Sequence, residues 1–295
     1  MVALTELSHV TDPLAWVVVL SFAGSAVLSW QESRYARQGS TFAWALFAVF
    51  WALMIPHYAI VQRSIVEGVL SVIAVPGSLY VAWLIYHGRR SFGVVTRAVA
   101  IMGLIYLPFE AITFVRSGSI ELVTRNVEAL LGLVGVDPTV ETGEDGLRST
   151  FVFLASDGHR LTTRVVLACT GIGSISVVGG LVAAVRADWR RKLLGIGIAV
   201  PIIYALNVLR VAFIALAHGN QWFAGFQGPI FLLFQIDDPY LVSYMIADRV
   251  ISQSVSLVVL ILITLGLLRI VPELSTVVED VLFLLTGKDY DLEFE

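Results

Sequence analysis

The chain has one cysteine in 295 residues, Cys169, in the run Leu167-Ala-Cys-Thr-Gly-Ile-Gly-Ser174. A lone cysteine forms no intramolecular disulfide, so its thiol is free to act as a nucleophile once ionised. Two arginines stand where arginine is expensive. Arg210 lies in the apolar run Ile202-Ile-Tyr-Ala-Leu-Asn-Val-Leu-Arg-Val-Ala-Phe-Ile, and Arg249 opens another apolar run. A central arginine in a membrane helix costs at least about 2.5 kcal/mol on insertion scales, so each calls for a compensating role. Burial alone raises a thiol's pKa, and a neighbouring guanidinium reverses that shift. Arginine stays protonated and cannot act as a base, but its planar fork stabilises a thiolate and donates to a developing oxyanion. The residue types therefore predict Cys169 as a nucleophile, with Arg210 and Arg249 sharing thiolate activation and transition-state stabilisation.

Other polar residues gather around these three. Asn207 precedes Arg210 by three residues and shares its helical face. Thr170, Ser174 and Asn207 are candidate supporting donors, and the competing role of each is to satisfy a nearby backbone group. Gly171 and Gly173, with Gly179 and Gly180 deeper, admit either a partner helix or a substrate backbone. Glu110 in Leu107-Pro-Phe-Glu is expected to pair with an arginine. His218 is a candidate proton relay to a leaving amine, but its eight-residue offset from Arg210 rotates it by about 80°. His9, His57, His87 and His159 show no metal spacing. Asp237-Asp238 has no further ligand nearby and reads as an exposed turn, so no metal site is expected.

These residues need an apolar scaffold, and the composition supplies one. The chain is 57% hydrophobic and 14% charged, with a mean hydropathy of +0.84, well outside the soluble range. The formal charge of -4 and pI of about 5.7 leave no basic patch for nucleic acid. Seven runs are long and apolar enough to span a bilayer: Leu14 to Trp30, Phe42 to Val61, Val66 to Tyr86, Arg97 to Val115, Val165 to Val185, Leu193 to Ala217 and Arg249 to Leu268. The predicted class is an all-α polytopic membrane protein with a small extracytoplasmic amphipathic helix and a β-hairpin. The first run lacks a basic leader and reads as a retained helix.

Basic residues set the expected orientation. Arg34, Arg37, Arg89, Arg90, Arg97, Arg186, Arg190, Arg191 and Lys192 fall in alternate connections, whereas the opposing short one holds only Arg63. The positive-inside rule then puts the N-terminus outside, the C-terminus in the cytoplasm, and the two larger segments, Arg116 to Arg164 and His218 to Asp248, on the outer face. With alternating spans, Cys169, Arg210 and Arg249 converge at one depth near the outer leaflet.

The chain reads as a single membrane domain over residues 1–295, with an outer loop at 116–164, catalytic helices at 165–268 and a cytoplasmic tail at 271–295. In the outer loop, Ile120, Val123, Val127, Leu130, Leu131 and Val134 recur at helical spacing. Thr150-Phe-Val-Phe-Leu, Ser156-Asp-Gly-His and Arg160-Leu-Thr-Thr-Arg-Val predict a hairpin leading into the Cys169 helix. The hairpin is either a spacer or a lid that helps hold an extended substrate. Trp222, Phe223, Phe226, Phe231 and Phe234 mark an interfacial or re-entrant segment, and Leu274 to Leu285 a short amphipathic helix.

At Ala168-Cys-Thr-Gly-Ile-Gly-Ser174, at Asn207-Val-Leu-Arg210, and at Arg249 after Tyr244-Met-Ile-Ala-Asp, the chain resembles the exosortase and archaeosortase family of membrane sorting enzymes. The likeness is most specific from Val165 to Leu268. The wider family usually has a histidine at the third position, where this chain has Arg249. The resemblance implies a cysteine peptidase or transpeptidase without a cofactor. Its clients would be surface proteins, of the S-layer glycoprotein kind, bearing a C-terminal Pro-Gly-Phe motif, a transmembrane helix and a basic cluster. Cleavage near the motif on the outer side would pass the acyl-enzyme to a membrane lipid. Two rival readings are an anion transporter with an arginine-lined site and a membrane thiol acyltransferase.

Overall fold

The structure is a computed structural model describing residues 2–89, 91–143 and 145–292, with side chains from residue 11 onward. Arg90, the side chain of His9 and the end of the acidic tail lie outside the described residues. Helices α1 (Val2–Trp30), α2 (Ala36–Pro56, continued by a π turn, His57–Val61), α3 (Ile65–Tyr86), α4 (Gly93–Ala111) and α5 (Thr113–Leu133) come first. Strands β1 (Thr139–Thr142), β2 (Arg148–Leu154) and β3 (Arg160–Arg164) follow. Then come α6 (Ile172–Ala184), α7 (Trp189–Gly219), α8 (Gln227–Phe234), α9 (Leu241–Leu268) and α10 (Ser275–Thr286). Among the described residues, six helices are long and apolar enough to cross a membrane: Thr11–Trp30, Ala36–Val61, α3, α4, α7 and α9. The protein is an all-α polytopic membrane protein with a small sheet.

The expected runs are mostly lengthened at their ends, and three differ where it bears on the site. The Val165 to Val185 run is helical only over the 13 residues of α6. It is preceded by a 3-10 turn, Leu167–Thr170, because Gly171 at φ 78° breaks the helical path. The Arg97 to Val115 run ends at Ala111, where Ile112 turns extended (φ -97°, ψ 106°) before α5 begins. The last span begins at Leu241, so Arg249 lies inside the helix and does not open it.

The chain falls into two compact units, residues 1–107, 176–199 and 261–295, and residues 108–175 and 200–260. The first is built on aromatic packing. Phe22 meets Trp44 edge-on at 5.3 Å, Phe47 meets Phe22 at 5.6 Å, and Val81, Leu84, Ile85, Phe92 and Phe283 complete the cluster. The Trp44 indole donates to Thr96 Oγ1 at 3.0 Å, giving the buried N–H its partner. Ser64 caps α3 by accepting from the Glu67 amide at 3.2 Å, in a Ser-x-x-Glu pattern. Gly180 of α6 lies so close to α4 that a Cβ there would come within 2.6 Å of the Ala98 carbonyl oxygen. The deeper glycine is thus a helix-packing position.

The second unit couples the hairpin to α5. Ile120, Val123, Thr124, Val127 and Leu131 form the buried face of α5, as their spacing predicts, and α5 packs on β2 and on the 3-10 turn. Strands β2 and β3 pair antiparallel with Phe151 opposite Thr163 and Phe153 opposite Leu161. Their turn closes through Ala155 N to His159 O at 2.9 Å, with Gly158 at φ 83° and the Asp157 carboxylate accepting from His159 N at 3.0 Å. Strand β1 adds an edge to β2 with its side chains mostly exposed.

Ion pairs fasten this sheet. Arg148 grips Glu128 of α5 through two bonds of 2.7 and 2.6 Å, and Arg164 meets Asp145 at 2.7 Å. The guanidinium bonds hold both carboxyls below the usual carboxylate range. A depressed folded-state pKa stabilises above the unfolded carboxyl value of about 4, and the gain is lost as pH falls through the folded value. We expect Arg148→Ala to lower the melting temperature at about pH 7 and to converge on the parent below about pH 4. Melting curves at the two pH values check this.

Candidate active site

Cys169 is presented by a short turn. Strand β3 delivers the chain to Val165, whose amide bonds the Ser149 carbonyl at 2.8 Å, and the Cys169 amide then donates to Val166 O at 2.8 Å. The thiol is half-buried. Gly171, with its positive φ, lies against α7 so closely that a Cβ would stand 3.2 Å from Asn207 Cβ. This approach lets the Asn207 side-chain amide donate to the Cys169 carbonyl. Asn207 therefore clamps the Cys169 turn through its backbone.

One helical turn beyond Asn207, Arg210 reaches α9. Its Nη2 lies 3.0 Å from Asp248 Oδ1, and Arg249 Nε lies 3.4 Å from Asp248 Oδ2. Asp248 is 7% exposed, and the Tyr244 hydroxyl also reaches its carboxylate. Tyr244 precedes a π-helical stretch, Met245–Ser252, the kind of widened turn that recurs at functional sites. The charges of Arg210, Arg249 and Asp248 all act on the Cys169 thiol. The thiol, Asn207, both arginines, Asp248 and Tyr244 thus lie in one unit, Asn207 holding the Cys169 turn and Asp248 gathering Arg210, Arg249 and Tyr244.

The remaining candidates are placed as follows. Thr170 is buried, its hydroxyl donating to Leu167 O at 2.7 Å and accepting from Ile172 N at 3.4 Å; it braces the turn. Ser174 sits half-buried in the first turn of α6. His218 is buried, with Nδ1 3.1 Å from Thr163 Oγ1 and its ring 5.6 Å from that of Tyr244. It joins the sheet to α7 and touches the cluster through Tyr244. Glu110 pairs with an arginine, as expected, Arg116 at 3.7 Å, with both side chains nearly half-exposed. Asp238 accepts from Tyr240 N at 2.9 Å and closes the turn that leads into α9. Among the described residues no group of three or more His, Cys, Asp or Glu side chains is arranged to hold a metal ion.

Asp248 and Tyr244 join the candidate cluster although the apolar run from Arg249 to Leu268 leaves both in the expected outer segment. Two signals pointed to them: Asp248 adjoins an arginine and follows Tyr244 by four residues, so the two share a helical face.

A multi-pass membrane protein with a thiol, an amide and two guanidiniums gathered in one apolar unit is a narrow class. The chain belongs to the transmembrane exosortase family, whose model matches residues 8–236. It is 46% identical over 295 residues to archaeosortase A of Haloferax volcanii, covering 97% of both chains. It is also 42% identical over 290 residues to archaeosortase A of Natronomonas pharaonis, covering 96% of this chain and 91% of that one. No solved structure matches it.

Proposed function

We propose that this protein is an archaeosortase-type cysteine transpeptidase that processes the C-terminal sorting signal of surface proteins. The observation that carries the reading is the setting of the chain's single thiol: Asn207 donates to the Cys169 carbonyl, and Arg210, one helical turn further along the same helix, meets Asp248 together with Arg249. The Cys169 thiolate attacks the scissile carbonyl near a Pro-Gly-Phe motif, forming a C–S bond, and the oxyanion takes hydrogen bonds from guanidinium N–H groups. The C–N bond then breaks, the amine leaves with a proton, and a thioester remains. An amine on a membrane lipid displaces the sulfur, transferring the protein to the lipid and restoring the thiol.

The basic-residue asymmetry supports an orientation with the N-terminus outside, the C-terminus in the cytoplasm and Cys169 near the outer face. Clients of the S-layer glycoprotein kind would bring both motif and transmembrane helix to that depth. The reaction needs no cofactor. Incubating the full chain in lipid with a model C-terminal signal and trapping the adduct for mass spectrometry tests the reading. The expected product is a peptidyl thioester on Cys169; an adduct consisting only of fatty acyl would overturn it in favour of an acyltransferase.

A further inference from the structure

We propose that Asp248 is a positioning residue of the Cys169 centre, its one carboxylate holding Arg210 and Arg249 together and setting the charge they present to the thiol. The proposal rests on the reading of Cys169 as the nucleophile. Asp248 uses different oxygens for the two arginines, Oδ1 at 3.0 Å from Arg210 Nη2 and Oδ2 at 3.4 Å from Arg249 Nε. A buried carboxylate persists only when paired, and this one has two cations and a phenol around it. Successive residues of an α-helix diverge by about 100°, and the wider winding of Met245–Ser252 narrows that angle. Asp248 and Arg249 are thereby turned toward the same interior.

The charge balance gives the arrangement its purpose. The two guanidiniums favour a thiolate beside them, and the carboxylate between them opposes it. The groups facing Cys169 are Arg210 from α7 and Tyr244, Asp248 and Arg249 from α9. The buried face of α5 against the same turn carries no ionisable residue, and Arg164 at the end of β3 is matched by Asp145. Removing the Asp248 charge therefore favours the thiolate while releasing the two forks from their shared anchor. Thiolate population and turnover are predicted to move in opposite directions, a signature that loss of packing alone does not produce.

Because Cys169 is the only cysteine, the pH profile of its iodoacetamide alkylation can be read directly on the full chain. In Asp248→Asn the profile should move about one unit to lower pH, roughly a tenfold gain in thiolate on the acidic limb. Turnover of the model signal should fall about 100-fold, in kcat more than in KM. Asp248→Glu keeps the charge but lengthens the arm, and should leave the profile in place while still cutting turnover at least tenfold. An Asp248→Asn profile that stays put or moves to higher pH overturns the proposal, as does near-parental turnover in either variant. If Asp248→Asn does not accumulate folded, Asp248→Glu decides alone by the same criteria. Failure of the nucleophile reading is recognised separately, as processing that survives Cys169→Ala.

Discussion

Replacing Cys169 by alanine is expected to abolish processing of the C-terminal signal while the protein still accumulates in the membrane. Loss of a covalent nucleophile costs on the order of 10⁵- to 10⁶-fold when the other groups act only through it. The stability effect is small by comparison. The turn around Cys169 is held by backbone bonds, Cys169 N to Val166 O at 2.8 Å and Asn207 to the Cys169 carbonyl, neither of which uses the sulfur. Alanine keeps both. The measurement is the ratio of processed to unprocessed client in cells expressing equal amounts of each variant, and retained processing in Cys169→Ala would falsify the cysteine mechanism.

Arg210→Lys is the second large effect. Lysine keeps the charge near the thiol but replaces a planar fork by a single ammonium. The Arg210 fork spends Nη2 on Asp248 at 3.0 Å, leaving other N–H groups for an oxyanion. A lysine engaged with Asp248 lacks the rigid second arm needed to span both tasks. Turnover should fall on the order of 10²-fold, the cost of losing one oxyanion donor, with alkylation of Cys169 by iodoacetamide changing far less. Wild-type turnover in Arg210→Lys would reduce this arginine to a counter-ion.

Much of the scaffold was legible because a membrane imposes simple demands. Long apolar runs announced the spans, Ile120 to Leu131 announced the buried face of α5, and Ser156-Asp-Gly-His announced the β2–β3 turn. Strand β1 was illegible for a physical reason: Thr139–Thr142 is a polar edge with little burial, so it lacks the alternation that marks a half-buried strand. The beginning of α9 was hidden by Asp237, Asp238 and Asp248, charges that ordinarily signal a loop. Asp248 gains, beside its sequence neighbours Arg249 and Tyr244, the guanidinium of Arg210 from 38 residues earlier, a pairing that local sequence does not encode. The same charge compensation concealed the third ionic member of the site while exposing the two arginines, whose insertion cost made them conspicuous.

The shortness of α6 reaches beyond its own boundaries. A 13-residue helix is about 20 Å long, against a hydrocarbon layer of about 30 Å. It packs through Gly180 on the full-length α4. In the proposed orientation about 10 Å of that layer falls to the backbone leading into the helix, the Leu167–Thr170 turn. Lipid tolerates such a stretch only where its peptide dipoles are answered from within the protein, which is the service Asn207 renders to Cys169. Under the proposed reaction, a carbonyl approaching the sulfur at that depth would meet few water molecules, and a thioester formed on it would be shielded from hydrolysis long enough for a membrane-borne amine to reach it first.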